Sequence, residues 1–276
     1  MVSPSWLRER LGEPDLAVLD ASLSPPGATP PVDTAARYRE NHIPGAVFFD
    51  IEALSDQATS LPHMLPAAED FARAMSALGV GHGMTLVVYE QSGMFSAARA
   101  WWKLRVFGAE RVYLLDGGLP AWAEEGLPME SGSVRRPPAS FHAKLNAAAV
   151  TDFAGIVRVM DEGGQILDAR SAARFQGSAS EPRAGIRSGH MPGAINLPFG
   201  DLVRQGRLKP AEELADIFLA RGVDLGKPVV TTCGSGVTAA VLSLGLEILG
   251  AAQVSLYDGS WSEYARRPEA KIATSS

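Results

Sequence analysis

The chain has 276 residues, 46% of them hydrophobic and 20% charged, with 25 Lys and Arg against 31 Asp and Glu for a formal net charge of −6. That acidic balance argues against a nucleic-acid partner, which needs a basic footprint, and no apolar run approaches the roughly 20 residues of a transmembrane helix. A single cysteine, Cys233, excludes intrachain disulfides and a Cys-rich zinc site, and the mixed polar start from Met1 to Leu16 lacks a signal-peptide core, so a cytoplasmic location is expected.

Along the chain, short apolar runs alternate with helical patterns. In the first half, strands are predicted at Ala17–Asp20, Leu86–Tyr89 and Val112–Leu115, with helices at Glu69–Leu78 and Ala97–Phe107. The stretch from Leu127 to Ala149 holds Ser-Gly-Ser, Arg135-Arg-Pro-Pro138 and a run of Ala, and reads as an ordered or semi-rigid linker. In the second half, strands are predicted at Ile166–Asp168, Val229–Thr232 and Val254–Tyr257, with helices at Glu212–Arg221 and Thr238–Leu249. Gly79, Gly108, Gly222 and Gly250 punctuate the helix ends. Such alternation implies mostly parallel sheets covered on both faces, with ligand sites beyond the carboxyl ends of the strands.

The two halves repeat each other. Asp20 matches Asp168 and His42-Ile-Pro-Gly45 matches His190-Met-Pro-Gly193, each pair 148 positions apart. Val87-Val88 matches Val229-Val230, Phe95-Ser-Ala97 matches Val237-Thr-Ala239, and Asp116-Gly117 matches Asp258-Gly259, each 142 apart. Units this long are tandem domains rather than solenoid repeats. We expect an N-terminal domain over 1–126, a linker over 127–149 and a C-terminal domain over 150–276.

Cys233 stands where chemistry is expected. The strand Val229–Thr232 runs into Cys233-Gly-Ser-Gly236, then Val237-Thr238 and an apolar helix. Glycines let the backbone curl so that several N–H groups point inward, and the helix N-terminus adds partial positive charge. A thiolate is favoured there as a nucleophile. The matching position of the first half, 142 residues earlier, is Gln91, so one half looks active and the other a duplicated scaffold.

The ordered set of motifs resembles that of tandem-domain rhodanese-type sulfurtransferases: His42-Ile-Pro-Gly45, Trp101-Trp102, Asp116-Gly-Gly118, Asp168-Ala-Arg170, His190-Met-Pro-Gly193 and Cys233-Gly-Ser-Gly-Val-Thr-Ala239. The resemblance implies an α/β fold of two rhodanese-like domains, of which only the C-terminal one is catalytic. It also implies a persulfide on Cys233, formed from a small-molecule sulfur donor. The acceptor it implies is cyanide, a small thiol or reduced thioredoxin, with no metal or organic cofactor. The backbone of Gly234, Gly236, Val237 and Thr238 is then expected to bind the substrate's negative sulfur.

Thiosulfate-preferring members resemble Cys-Arg-Lys-Gly-Val-Thr, whereas Gly234 and Ser235 make this loop neutral, similar to that of 3-mercaptopyruvate-using members. By that resemblance Arg174 and Arg183 bind the donor carboxylate, a task suited to a guanidinium fork. Ser235, His42 and an upstream acid, Asp33, resemble the members of a proton relay. The alternatives are a thiosulfate sulfurtransferase with a neutral loop, or a non-catalytic interaction module, which retention of Cys233 disfavours. A Cys-based phosphatase needs an Arg closing the loop, and Ala239 stands at that place. A cysteine hydrolase needs a His base that the sequence does not place.

Overall fold

A computed structural model describes residues 1–275 of the chain. Contacts divide it into two compact units. The first comprises Met1–Gln57, Leu65–Asn146 and Gln205–Arg207; the second comprises Ala58–Met64, Ala147–Arg204 and the chain from Leu208 onward.

The first unit holds α1 (Pro4–Arg8), β1 (Leu16–Asp20), α2 (Thr34–Glu40), β2 (Val47–Phe48), α3 (Ala68–Ala77), β3 (Thr85–Tyr89), α4 (Ala97–Val106), β4 (Arg111–Leu114) and α5 (Gly118–Glu124). Its sheet has the order β2-β1-β3-β4, and every pairing is parallel. Burial on both faces explains why β1 reads as a continuous apolar run rather than an alternating one: all five of its residues are buried. Leu16, Val18, Val87, Tyr89 and Trp122 belong to one core cluster. The stretch after Leu127 stays on this unit. His42 and Glu130 exchange backbone hydrogen bonds, Ala139 N–H donates to Ser76 carbonyl, and Asn146 N–H donates to Val106 carbonyl.

The following elements are β5 (Val150–Thr151), α6 (Phe153–Asp161), β6 (Gln165–Asp168), α7 (Ala172–Gln176), β7 (Ile195–Asn196), the hairpin strands β8 (Val203–Arg204) and β9 (Arg207–Leu208), α8 (Ala211–Ala220), β10 (Val229–Thr232), α9 (Ala239–Ile248), β11 (Val254–Tyr257) and α10 (Ser260–Tyr264). The sheet of the second unit is again parallel, in the order β5-β11-β10-β6-β7. Its central strand is β10, flanked by β6 and β11 and buried at all four positions. Helix α9 is buried from Ala239 to Leu246, so it lies in the interior rather than on a wet face.

The predicted strands and long helices form within a residue or so of their expected ends. Gly108 after α4 and Gly250 after α9 have φ of +93° and +71°, the left-handed stop that a Cβ would strain. The sequence pattern does not mark β2, β5, β7, β8, β9, α1, α2, α5, α6, α7 and α10. Two-residue strands such as β2 and β7 carry no period of their own and exist only by pairing with β1 and β6. Among the described residues, no helix is long and apolar enough to cross a membrane.

Candidate active site

The central strand β10 delivers Cys233 to the carboxyl end of the sheet, and α9 starts six residues later with Thr238 as its N-cap. The intervening loop is strapped to α10. Trp261 N–H donates to the Cys233 carbonyl at 2.9 Å, and Ser262 donates to the Gly234 carbonyl from its N–H at 2.9 Å and its hydroxyl at 2.6 Å. Peptide planarity then turns the N–H groups of Gly234 and Ser235 away from α10. Gly236 takes φ of +77°, and Val237 is buried. Ser260, held at φ +49°, donates to the Tyr257 carbonyl and accepts from the Cys233 N–H at 3.4 Å. Cys233 itself is 2% exposed. The result is a curled amide loop at a helix N-terminus, which is suited to holding negative charge on sulfur.

Ser235 faces a histidine, and it is His63. Nδ1 of His63 lies 3.0 Å from Ser235 Oγ, and both side chains are buried. His63 lies in the segment Ala58–Met64 that packs with the second unit. Its φ is +63°, rare for a residue with a Cβ and a mark of a position fixed by its surroundings. No motif marks His63 in the sequence; its one visible signal is that no histidine stands 148 positions later, where Ala211 is found.

A chain of alternating charges reaches the loop from β6. Asp168 accepts from Arg170 Nε and Nη2, and Arg170 Nη1 donates to Glu181 Oε1 at 2.8 Å. Glu181 in turn accepts from Arg174 through Nε at 3.3 Å and through Nη2. Arg170 is fully buried and stacks 4.3 Å over the Trp261 ring. Its pKa is raised: burial opposes the charge but is outweighed by Asp168 and Glu181. Arg174 ends the chain against Gly234, where a Cβ would meet its Nη2 at 2.8 Å. Arg183 is half-buried in the loop that also carries Glu181. Arg187 holds structure, donating to the carbonyls of Ala265 and Arg267.

Asp33 and His42 both make structural contacts within the first unit. Asp33 is exposed and is the N-cap of α2, its Oδ1 accepting from the Ala36 N–H at 2.8 Å, so it orders a helix in the first unit. His42 is fully buried in that unit, with Nδ1 donating to the Tyr38 carbonyl at 2.8 Å and its ring stacked on Tyr38 at 4.4 Å. His190 repeats the arrangement on Phe175, with the same 2.8 Å bond and a ring distance of 3.9 Å. The His-x-Pro-Gly histidine thus makes the same backbone contact in both halves, and the histidine that meets Ser235 within the second unit is His63.

The matching loop of the first unit is filled from within. Glu90, the counterpart of Thr232, sends its carboxylate into the start of α4. It accepts from the N–H groups of Phe95, Ser96 and Ala97 and from the Ser96 hydroxyl. Its pKa is raised, because burial outweighs these bonds. Gln91, in the place of Cys233, donates to Asp20 Oδ2 at 3.1 Å. In this loop a glutamine stands in place of the cysteine, and the amides at the start of α4 are taken by a carboxylate of the chain itself.

The rhodanese-like domain family matches the chain twice, over residues 3–125 and 155–267. The chain belongs to the rhodanese-like family. Among relatives of this rhodanese-like chain, a 3-mercaptopyruvate sulfurtransferase of Escherichia coli K12 is 47% identical over 272 residues, 98% of this chain and 96% of that protein. A protein of Arabidopsis thaliana named thiosulfate/3-mercaptopyruvate sulfurtransferase 1 is 43% identical over 296 residues, 99% of this chain and 77% of that one. The crystal structure of SseA, a 3-mercaptopyruvate sulfotransferase from Escherichia coli, superposes with a TM-score of 0.88 at 47% identity, covering 95% of this chain and 99% of that one. Both rhodanese-like domains thus carry the α/β fold with parallel sheets that the repeat implied.

Proposed function

We propose that this chain moves a sulfane sulfur from 3-mercaptopyruvate to a thiol or cyanide acceptor through a persulfide on Cys233. The observation that carries the reading is the position of Arg174. It puts a guanidinium beside Gly234, one residue from the nucleophile, in a loop whose own residues Gly234 and Ser235 bring no cation. A donor with a carboxylate a few bonds from its sulfur fits that separation; Arg174, with Arg183, is our choice for the carboxylate.

In the forward step the Cys233 thiolate attacks the donor sulfur. The carbon–sulfur bond breaks, its electron pair stays on carbon, and an enolate of pyruvate leaves. The proton that was on the donor thiol must end on that carbon. We assign its transfer to Ser235, whose hydroxyl is hydrogen-bonded to His63, in preference to a relay through His42 and Asp33. The amides from Gly234 to Thr238 stabilise the charge on the outer persulfide sulfur. An acceptor thiolate or cyanide then attacks that sulfur and frees Cys233.

In this reading the half over 150–276 is catalytic and that over 1–126 is scaffold, joined through 127–149. The acceptor is a small thiol, cyanide or reduced thioredoxin, and the chain works in the cytoplasm. The test is a side-by-side assay of pyruvate release from mercaptopyruvate and thiocyanate formation from thiosulfate and cyanide. A higher kcat/KM for mercaptopyruvate supports the reading; a preference for thiosulfate replaces it with the thiosulfate alternative.

A further inference from the structure

Glu181 is the least exposed carboxylate near the Cys233 loop that serves two cations at once. Its side chain is 3% exposed, between Arg170 at 0% and Arg174 at 21%. The charges from Asp168 through Arg170 and Glu181 to Arg174 alternate and sum to zero. The contacts also select which part of Arg174 is left for a ligand. A guanidinium offers a side-on edge, Nε with Nη2, and an end-on edge, Nη1 with Nη2. Glu181 takes the side-on edge. The end-on edge lies beside Gly234, whose Cβ position is 2.8 Å from Nη2 and 4.0 Å from Nη1.

We propose that Glu181 is a positioning and specificity-determining residue: it turns the end-on edge of Arg174 towards the Cys233 loop and cancels much of its charge, so that the site takes a donor with one negative charge and disfavours a dianion. The donor assignment rests on the sulfurtransferase reading above, but the charge effect does not. An uncompensated cation beside the loop attracts a dianion about twice as strongly as a monoanion at the same distance. With Glu181 ionised, the field at the loop is that of a dipole and falls off quickly; with a neutral residue, it is that of a full charge.

The experiment compares wild type with Glu181→Gln and Glu181→Asp by two readouts. The first is the ratio of kcat/KM for thiosulfate over mercaptopyruvate. The second is the ratio of Cys233 alkylation rates by iodoacetate and by iodoacetamide, which needs no sulfur donor and reports one site because Cys233 is the only cysteine. In Glu181→Gln both ratios are expected to rise about tenfold. In Glu181→Asp, which keeps the charge but shortens the reach, the alkylation ratio should stay within about twofold of wild type while KM for mercaptopyruvate rises. If Glu181→Gln slows both donors equally and leaves the alkylation ratio unchanged, Glu181 only holds structure and the proposal fails. Should Glu181→Gln not fold, a rise of about tenfold in the alkylation ratio of Glu181→Asp would overturn the proposal, since its charge is retained. Wild type inert towards mercaptopyruvate but with the alkylation ratio rising in Glu181→Gln would sink the donor reading and leave the charge effect standing.

Discussion

Nδ1 of His63 lies 3.0 Å from Ser235 Oγ, and Ser235 is the second residue after Cys233. The pair is buried, so the hydroxyl is oriented by the ring rather than by bulk water. A relay of this kind matters when a carbon leaving group has to be protonated and not when sulfite leaves. His63→Ala should therefore lower kcat for mercaptopyruvate by about 10²–10⁴-fold, while thiosulfate turnover with cyanide falls far less. Steady-state assays with the two donors check this; equal losses would remove the relay.

His42 predicts the opposite behaviour. Its ring is fully buried, stacked on Tyr38 and bonded to the Tyr38 carbonyl. Removing such a ring leaves a cavity and an unmet carbonyl, and should cost about 2–5 kcal/mol. His42→Ala is expected to lower the urea midpoint while kcat/KM per folded molecule stays near wild type. The matching change His190→Ala should behave alike in stability.

Gly234 is expected to tolerate only a small change. In Gly234→Ala the new Cβ meets Arg174 Nη2 at 2.8 Å, the tip of a flexible side chain that can move. The fold should survive and KM for mercaptopyruvate should rise about tenfold, the order of one lost charge-assisted contact. The double change Gly234→Arg with Ser235→Lys displaces Arg174 and also removes the hydroxyl that meets His63. Its mercaptopyruvate activity should collapse on both counts, with the residual activity favouring thiosulfate. Parallel kinetics with both donors test each variant.

The sequence made some of this legible and not the rest, for physical reasons. Central strands such as Val229–Thr232 are buried on both faces and must be apolar throughout, so they show in composition alone. Cys233 shows because a strand end, two glycines and a helix start lie next to it in the chain. His63 does not, because a fold brings it 172 positions to Ser235 and its backbone conformation leaves no mark in the sequence. The repeat nevertheless held a clue that pointed the other way from the assignment of His42. Chemistry confined to one half should draw on unrepeated residues: His42 is duplicated by His190, whereas His63 is not. Asp33 is ambiguous in sequence for a related reason, since an Asp before a helical pattern is as good a cap as it is a catalytic acid, and here it caps α2.

The buried acids of the first unit give a pH signature. Burial raises the pKa of both Asp20 and Glu90 in the folded chain. A carboxyl that binds its proton more tightly when folded adds stability that is complete below its unfolded value and is lost as pH rises through the folded value. For Asp20 the loss begins near the ordinary 3.8, and for Glu90 near 4.5. Asp20→Asn should therefore flatten part of the fall in stability from about pH 4 upward, seen as a wild-type-minus-variant difference that declines with pH in urea titrations. A difference that grows with pH would reverse the sign and the cause assigned to it.

The most direct test of sulfur transfer through Cys233 is the intact mass of the chain after mercaptopyruvate treatment without acceptor. Wild type should gain one sulfur and release pyruvate, then lose that sulfur to added cyanide as thiocyanate. Cys233→Ser should gain none and release no pyruvate while keeping its folded circular-dichroism spectrum. A Cys233→Ser protein that still acquires sulfur or releases pyruvate would contradict the account.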